Sequence, residues 1–502
     1  MMSLRNTMLL SAALAALAPA AARSQTLQVA LAAAYANNPT LLAARAQLRA
    51  VDENVPQALA GWRPTVVISG AAGYSDVTLR SQATVPVQRD FAGNVVNPGS
   101  VGRPFSLYTD VPRNTASLQA TVSQPIYRGG RTIASTRRAE NQVYAQRSRL
   151  LGTEQQVLLD SVAAYVAVIR DAEVVRLNSN NVAVLTRQLQ ATNERFRVGE
   201  ITRTDVAQAE SRLAGARAQL QQAEGNLQSS RALFQRLVGL EPARMQAPAP
   251  VVPPVRSQQE AVRLATENNP AVIAAQFDEA AARDLIDVQF AALMPQVSLN
   301  ASAFRIDNNA SRGSRQTGAQ VTANLSVPIY QGGAEHAAVR QARQQAQQAR
   351  QAVDEARRLA GQQATQAWET LRSARAQVES VRAQIRAQEI ALDGVQREAV
   401  VGSRTTLDVL NAEQELLNAR VSLVQALATL INASYALTAT VGRLTARDLG
   451  LPVQIYDPRT YYSTVRDRWV GTGDFSEAGG QAPQGAIVVQ PLQPVAGTPS
   501  RP

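Results

Sequence analysis

The chain of 502 residues contains no cysteine. This absence excludes disulfide bonds, a thiol nucleophile, cysteine-bound metals and the lipid-modified cysteine of a bacterial lipoprotein. The fold must therefore be held together by packing and hydrogen bonding alone.

Lysine is also absent, and His336 is the single histidine. A phosphate-binding loop that ends in lysine cannot form, and a serine triad would have to use His336. That histidine lies in a solvated helical pattern, so we interpret it as a surface residue. The composition argues against an enzyme, and we expect no cofactor and no metal site.

Aromatic residues make up only 4% of the chain, whereas Ala, Gln and Arg fill long tracts such as 334–387. This composition is typical of long helices and coiled coils. The net charge of +11 comes from 50 basic residues that are all arginine. They are interleaved with Glu, Asp and Gln, which favours solvated helix faces over a nucleic-acid surface.

Long apolar runs are scarce. At the start, Arg5 precedes an apolar run over 8–17, and small residues around Ala22 offer a cleavage site, so residues 1–24 are predicted to be a secretory signal peptide. After it we find no stretch of 18 apolar residues, which predicts that no helix crosses an inner membrane. A membrane role would have to use strands.

The chain contains an internal duplication. The pattern Val-Gly-x-x-Thr-x-x-Asp-Val occurs at 198–206 and again 203 residues later at 401–409. The same offset relates the Pro-Ile-Tyr-x-Gly-Gly stretches at 125–130 and 328–333. We predict two structural repeats, 25–240 and 258–443, joined by a proline-rich linker at 241–257.

Each copy of the Val-Gly pattern predicts a helix end followed at once by a helix start. The glycine can adopt the left-handed backbone that ends a helix, and the threonine can cap the next helix together with the aspartate three residues on. Spacing alone leaves open whether the aspartates do more than cap. The residues are Gly199, Thr202 and Asp205 in the first copy and Gly402, Thr405 and Asp408 in the second.

Apolar and polar residues alternate with a period of two after Pro64 and Pro295. The polar positions are uncharged over the centre and the apolar ones are small, which fits a barrel wall between lipid and water. Four strands cannot close a barrel, and lipid does not tolerate open sheet edges, so strands must be pooled between chains. The predicted strands are 64–74, 116–125, 296–305 and 319–328, with loops at 75–115 and 307–314 that we expect to be extracellular.

Two proline-free helices are predicted at 130–197 and 333–400, each with apolar residues seven apart over five repeats. At about 1.5 Å per residue each is on the order of 100 Å long. The tip turns 198–204 and 401–407 lead into shorter helices at 202–237 and 405–437, and another helix is predicted over about 26–61. Residues 444–472 are interpreted as an equatorial segment and 473–502 as a disordered tail.

Taken together, the two Val-Gly turns, the Pro-Ile-Tyr-x-Gly-Gly junctions, the Asn-Asn-Pro helix starts and the run at 404–410 resemble the TolC family of outer-membrane efflux proteins. The resemblance covers about 26–449. It implies an α+β membrane protein whose four β-strands per chain are pooled in a trimer into a 12-stranded outer-membrane barrel, continued through the periplasm by a long coiled-coil α-barrel. It also implies a bacterial outer-membrane location, a gated exit duct for a tripartite efflux pump or type I secretion system, and two partners: a periplasmic adaptor and an inner-membrane pump or ABC transporter.

The resemblance assigns expected roles to residues at the tips. Asp408 matches an aspartate of the entrance constriction, while Asn411 stands where a second aspartate is found and Ala399 stands where some members have a latch tyrosine. The implied entrance latch comprises Arg404, Thr204 and Asp205, and the implied adaptor-binding tips comprise Val198, Gly199, Val401 and Gly402.

A periplasmic coiled-coil scaffold without a channel is the alternative interpretation. The four alternating strands distinguish the two, because a coiled-coil scaffold has no need of them.

Overall fold

A computed structural model describes residues 25–84, 87–96, 104–309 and 313–473. The predicted signal peptide and nearly all of the predicted tail lie outside these ranges. The helices are α1 Leu27–Asn37, α2 Pro39–Asp52, α3 Asn54–Leu59, α4 Arg131–Arg197, α5 Arg203–Val238, α6 Gln258–Asn268, α7 Pro270–Phe290, α8 Ala334–Val400, α9 Thr406–Thr440 and α10 Pro458–Val465. The strands are β1 Thr65–Thr84, β2 Pro104–Arg128, β3 Gln296–Asp307 and β4 Arg315–Ser326.

The chain divides into two compact units. The described part of one comprises residues 25–53, 140–280 and 347–473, and its regular structure is helical apart from an isolated bridge between Gln25 and Met245. The other comprises 54–139 and 281–346 and contains the four-stranded sheet.

The sheet is antiparallel throughout, with the strand order β1-β2-β3-β4. Its register aligns Ile68, Ala120, Ala303 and Ala319 in one row across all four strands. Because directly paired residues point to the same side of a sheet, the alternating apolar residues form one continuous face. Ile68 keeps 71% of its surface exposed within this chain.

The first two strands are longer than predicted. Pairing continues beyond the predicted end of the first strand, from Ser75 opposite Arg113 to Thr84 opposite Pro104. The predicted limits of 64–74 and 116–125, with a loop at 75–115, were therefore wrong for this hairpin. Backbone pairing extends the ladder through a stretch where the apolar residues change to the other face of the strand, as at Val77 and Ala83. In the second hairpin, β3 matches its predicted start, whereas β4 begins four residues before the predicted 319 and ends at Ser326.

The strand-to-helix junction after β2 requires glycine. Gly129 and Gly130 both have left-handed backbones, with φ of 61° and 84°. A Cβ atom on Gly129 would lie 2.6 Å from the carbonyl oxygen of Ala291, closer than atoms can approach. The junction therefore depends on glycine both for its conformation and for its close packing.

The two long helices have the same length. Both α4 and α8 contain 67 residues, and each begins one residue after the predicted start. The helices that follow the tips contain 36 residues in α5 and 35 in α9.

The single helix predicted over 26–61 was wrong, because the structure contains α1, α2, α3 and a short 3-10 turn in its place. Asn38 interrupts it: the Asn38 side-chain oxygen accepts from the Thr40 amide at 2.9 Å, and its nitrogen donates to the Leu237 carbonyl at 2.9 Å. With Pro39 at the first helical position, this asparagine starts a new helix.

One described helix, Thr406–Thr440, has a window long and apolar enough to cross a membrane by length and composition. This helix contains polar residues throughout, so it is not the unbroken apolar stretch considered in the sequence analysis, and the absence of a helix across an inner membrane stays a prediction. Several of its apolar side chains are buried inside the protein, including Leu410 and Leu437, as in the core helix of a packed bundle.

The segment at 444–473 lies against the helical unit. The Tyr456 amide donates to the Tyr35 hydroxyl at 3.0 Å, and the Tyr461 hydroxyl donates to Glu53 at 2.8 Å. The described part of this segment is thus fixed to α1 and to the end of α2.

Candidate entrance site at the two helix tips

The first tip begins where α4 ends at Arg197. Gly199 has a left-handed backbone with φ of 80°, and its amide donates to the Phe196 carbonyl at 2.9 Å. The next amide, that of Glu200, donates to the Arg195 carbonyl at 2.9 Å. These two bonds satisfy carbonyls at the end of the helix, as expected for a glycine stop.

A capping box starts the next helix, α5. The Thr202 hydroxyl accepts from the Asp205 amide at 3.3 Å, and the Asp205 carboxylate accepts from the Thr202 amide at 3.0 Å. The same carboxylate also accepts from the Thr202 hydroxyl at 2.7 Å. The predicted cap of threonine with aspartate three residues later is therefore present.

The second tip repeats this geometry. Gly402 has φ of 79°, and the Ser403 amide donates to the Glu398 carbonyl at 3.0 Å. Thr405 and Asp408 form the reciprocal cap, with distances of 3.0 Å from the Thr405 amide to the carboxylate and 3.2 Å from the Asp408 amide to the hydroxyl. A turn duplicated in sequence is thus duplicated in structure.

Both capping carboxylates are stabilised in the ionised form. Hydrogen bonds from the Thr405 amide and hydroxyl, with a weaker contribution from Arg404, hold the pKa of Asp408 below its ordinary value. Hydrogen bonds from the Thr202 hydroxyl and amide lower the pKa of Asp205 in the same way. Because a lowered pKa keeps an acid charged until the pH falls through it, both groups are anionic at neutral pH.

Each tip also carries one ion pair that sequence reasoning missed. In the first tip, the Arg195 side chain donates to Glu200 at 2.9 Å. In the second, the Arg404 side chain donates to Glu398 at 2.9 Å. Comparing the tips residue by residue could have revealed the pairs, because Glu398 stands 203 residues after Arg195.

The three predicted latch residues differ in their hydrogen-bond partners. Arg404 pairs with Glu398, Asp205 caps α5 with Thr202, and the exposed Thr204 side chain makes no hydrogen bond within the described part of the chain. Within the described part of a single chain, Arg404, Thr204 and Asp205 therefore make no hydrogen bond to one another.

A hydrogen bond instead connects the two repeats near the tips. Arg212 on α5 donates to the side-chain oxygen of Asn411 on α9 at 2.7 Å. Below it, Leu185, Leu213 and Leu410 are buried together with Ala216, joining α4, α5 and α9. Asn411, predicted to line the constriction, thus also holds the second hairpin against the first.

The predicted adaptor-binding residues are exposed. Val198 and Val401 each keep 78% of their surface accessible in this chain. Two apolar side chains at the ends of long helices are available for contact with another protein.

An antiparallel sheet with an exposed apolar face and paired helical hairpins of matched length define the class as an α+β outer-membrane channel. The chain belongs to the outer membrane efflux protein family, whose sequence profile matches residues 12–240 and 261–443. Members of this family are channels of the bacterial outer membrane that extend into the periplasm, and they are not enzymes. The α+β channel fold, the family and the outer-membrane location predicted from the sequence are confirmed.

Named relatives agree with this assignment. The chain is 35% identical to the outer membrane efflux protein BepC of Brucella suis, over 90% of this chain and 92% of that protein. It is 24% identical to the outer membrane protein TolC of Vibrio cholerae, over 79% of this chain and 90% of that protein. Among solved structures, the Campylobacter jejuni CmeC outer membrane channel superposes with a TM-score of 0.69, covering 88% of this chain and 89% of that one at 16% identity.

Proposed function

We propose that this efflux channel works as a homotrimer that forms a passive, gated exit duct. The observation that carries the proposal is the sheet: its apolar face is exposed, and within the described chain β1 and β4 each have a neighbour on one side only. Lipid does not tolerate such open edges. Three chains would pair β4 of one with β1 of the next and close a barrel of twelve strands in outer-membrane lipid.

In this proposal the helical hairpins of the three chains continue the duct through the periplasm. A periplasmic adaptor grips the tips at Val198, Gly199, Val401 and Gly402, and an inner-membrane pump or ABC transporter supplies the energy. The exposed valines support this assignment, since apolar side chains at the end of a hairpin gain most from being covered.

The second tips would form the narrowest point of the entrance. Asp408 from each chain would supply a ring of negative charge, and Asn411 would line the next turn without adding charge. The lowered pKa of Asp408 supports this role: the ring keeps its charge at neutral pH and would lose it only as the pH falls through that lowered value.

Opening would spread the hairpins at the tips when adaptor contacts favour the open arrangement. Arg404, Thr204 and Asp205 would latch the closed state through contacts between neighbouring chains. With Ala399 at the tyrosine position and no second aspartate at 411, the latch would be weaker than one that has those groups.

The decisive experiment is planar-bilayer recording of the detergent-extracted protein. We expect small cation-selective openings whose reversal potential moves toward zero in Asp408→Ala, because the ring loses its charge. Asp408→Glu is the matched control, since it keeps the carboxylate and should keep the selectivity. Unchanged selectivity in Asp408→Ala would contradict the ring, and a protein that never inserts would contradict the duct.

A further inference from the structure

A cavity of about 220 Å³ lies between α4, α8 and α9 in the helical unit. Its apolar walls come from both repeats, with Leu177 and Val184 on one side and Leu392 and Leu416 on the other. A concave apolar site with a few polar groups is the usual form of a small-molecule site. All of these residues belong to one chain.

Glu413 is one of the residues that line this cavity. Its Oε2 atom is buried and has no hydrogen-bond partner in the described part of the chain. Burial raises the pKa of Glu413, as expected for a carboxyl group whose charge no nearby group compensates. A buried acceptor of this kind gains strongly from a cationic donor.

Arg420, which also lines the cavity, is already engaged. Its guanidinium donates to Glu389 at 2.9 Å. It is therefore held by another carboxylate, and Glu413 is the acidic residue among those that line the cavity.

Asn181, which also lines the cavity, supplies the complementary group. It is only 9% exposed, and its side-chain nitrogen is buried without an acceptor among the described residues. The residues that line the cavity thus include one carboxyl group and one amide with unused hydrogen-bonding atoms, between apolar walls.

We propose that this cavity binds a small organic cation of the arylalkyl amino alcohol class. Its ammonium group would donate to Glu413, its hydroxyl would accept from Asn181, and its ring would contact the leucine walls. An apolar cavity of about 150 Å³ holds a benzene molecule, so the volume here admits one ring with a short polar side chain.

The position gives such a ligand a structural effect. Glu413 lies five residues beyond Asp408 on α9, and Asn181 lies on α4 of the other repeat. A bound cation would therefore bridge the two hairpins close to the tips. This binding site goes beyond the exit duct, and binding to it can be measured without any conductance.

The test is titration calorimetry of the full chain in detergent with 2-amino-1-phenylethanol. The comparison compound is 1-phenyl-1,2-ethanediol, which has the same skeleton but a hydroxyl in place of the ammonium. We expect the amine to bind and the diol not to bind. Glu413→Gln should weaken the amine about tenfold or more, because the charge-assisted bond is lost.

Glu415→Gln is the matched control, since Glu415 is exposed on the same helix and lies outside the cavity lining. It should bind the amine like the unmodified chain. If Glu413→Gln does not elute as the unmodified protein does, Asn181→Leu tests the opposite wall and should weaken binding severalfold.

Three results would overturn the proposal: no heat from the amine with the unmodified chain, equal binding of the diol, or equal weakening by Glu415→Gln. Failure of the duct would show as absent conductance with calorimetric binding intact, so the two proposals fail in different ways.

Discussion

The two tips share their backbone chemistry and differ in their charges. Both have a left-handed glycine and a reciprocal threonine-aspartate cap. The ion pair, however, is reversed: the helix end carries Arg195 in the first tip and Glu398 at the equivalent place in the second. Every helix end has backbone groups without a hydrogen-bond partner, and this requirement keeps the caps the same in both tips. No such requirement acts on an exposed ion pair, so the acidic and basic residues can exchange places.

The helices behind the tips also differ. After Thr405, the first turns of α9 bury Val409 and Leu410, which are 7% and 2% exposed. The equivalent residues of α5 are the half-buried Val206 and the exposed Ala207. The second tip is therefore anchored by packing as well as by its cap, while the first relies more on the cap.

The largest effect on adaptor binding should come from replacing the left-handed glycine that both tips share. Replacing Gly199 and Gly402 together by valine puts a branched side chain at a positive φ, at a cost of about 1–2 kcal/mol per site. We expect the double variant to lose crosslinking to the adaptor while assembly in detergent is retained. Gly215→Val is the control, because Gly215 is exposed within α5 and does not have a positive φ. Intact crosslinking in the double variant would mean that the adaptor grips another surface.

Removal of the capping hydroxyls should affect the local stability of the two tips to different extents. Thr202→Ala and Thr405→Ala each delete a capping hydroxyl, which costs about 1 kcal/mol. Hydrogen exchange should accelerate more at the start of α5 than at the start of α9, because Leu410 continues to hold the second helix. The serine variants keep the hydroxyl and should exchange at the original rates. Equal acceleration at both tips would show that the packing difference has no effect on local stability.

The smallest effect is expected from the ion pairs, because exposed pairs contribute little to stability. If the latch acts between chains through the second tip, Arg404→Ala should raise the closed-state conductance in bilayers. Arg195→Ala, which breaks the equivalent pair in the first tip, should leave it unchanged. A rise in conductance in both variants, or in neither, would contradict the assignment of Arg404 to the latch.

The sequence predicted the tips well because their chemistry is local. Gly199 and Thr202 meet requirements set by the backbone within a few residues, and so do Gly402 and Thr405. Their conformations could be read without knowing what packs nearby.

Other features could not be read in this way. The extended pairing from Ser75 to Thr84 depends on the partner strand, since the apolar residues change face near the paired Asp76 and Pro112 while the ladder continues. The bond from Arg212 to Asn411 joins residues 199 apart, and only the packed helices bring them together. The Asn-Asn-Pro pattern marks a helix start at Asn38, but helical periodicity on both sides favoured one continuous helix over 26–61.

The equal lengths of α4 and α8 have a consequence for how such a chain can change over time. Each of these helices has 67 residues, so both repeats set the same distance between the start of the long helix and its glycine turn. An insertion in one alone would leave its glycine turn out of step with the other, and each added residue would also rotate the apolar stripe by about 100°. We therefore expect that an insertion or deletion in the long helix of one repeat is accompanied, during evolution, by one of the same length in the other repeat.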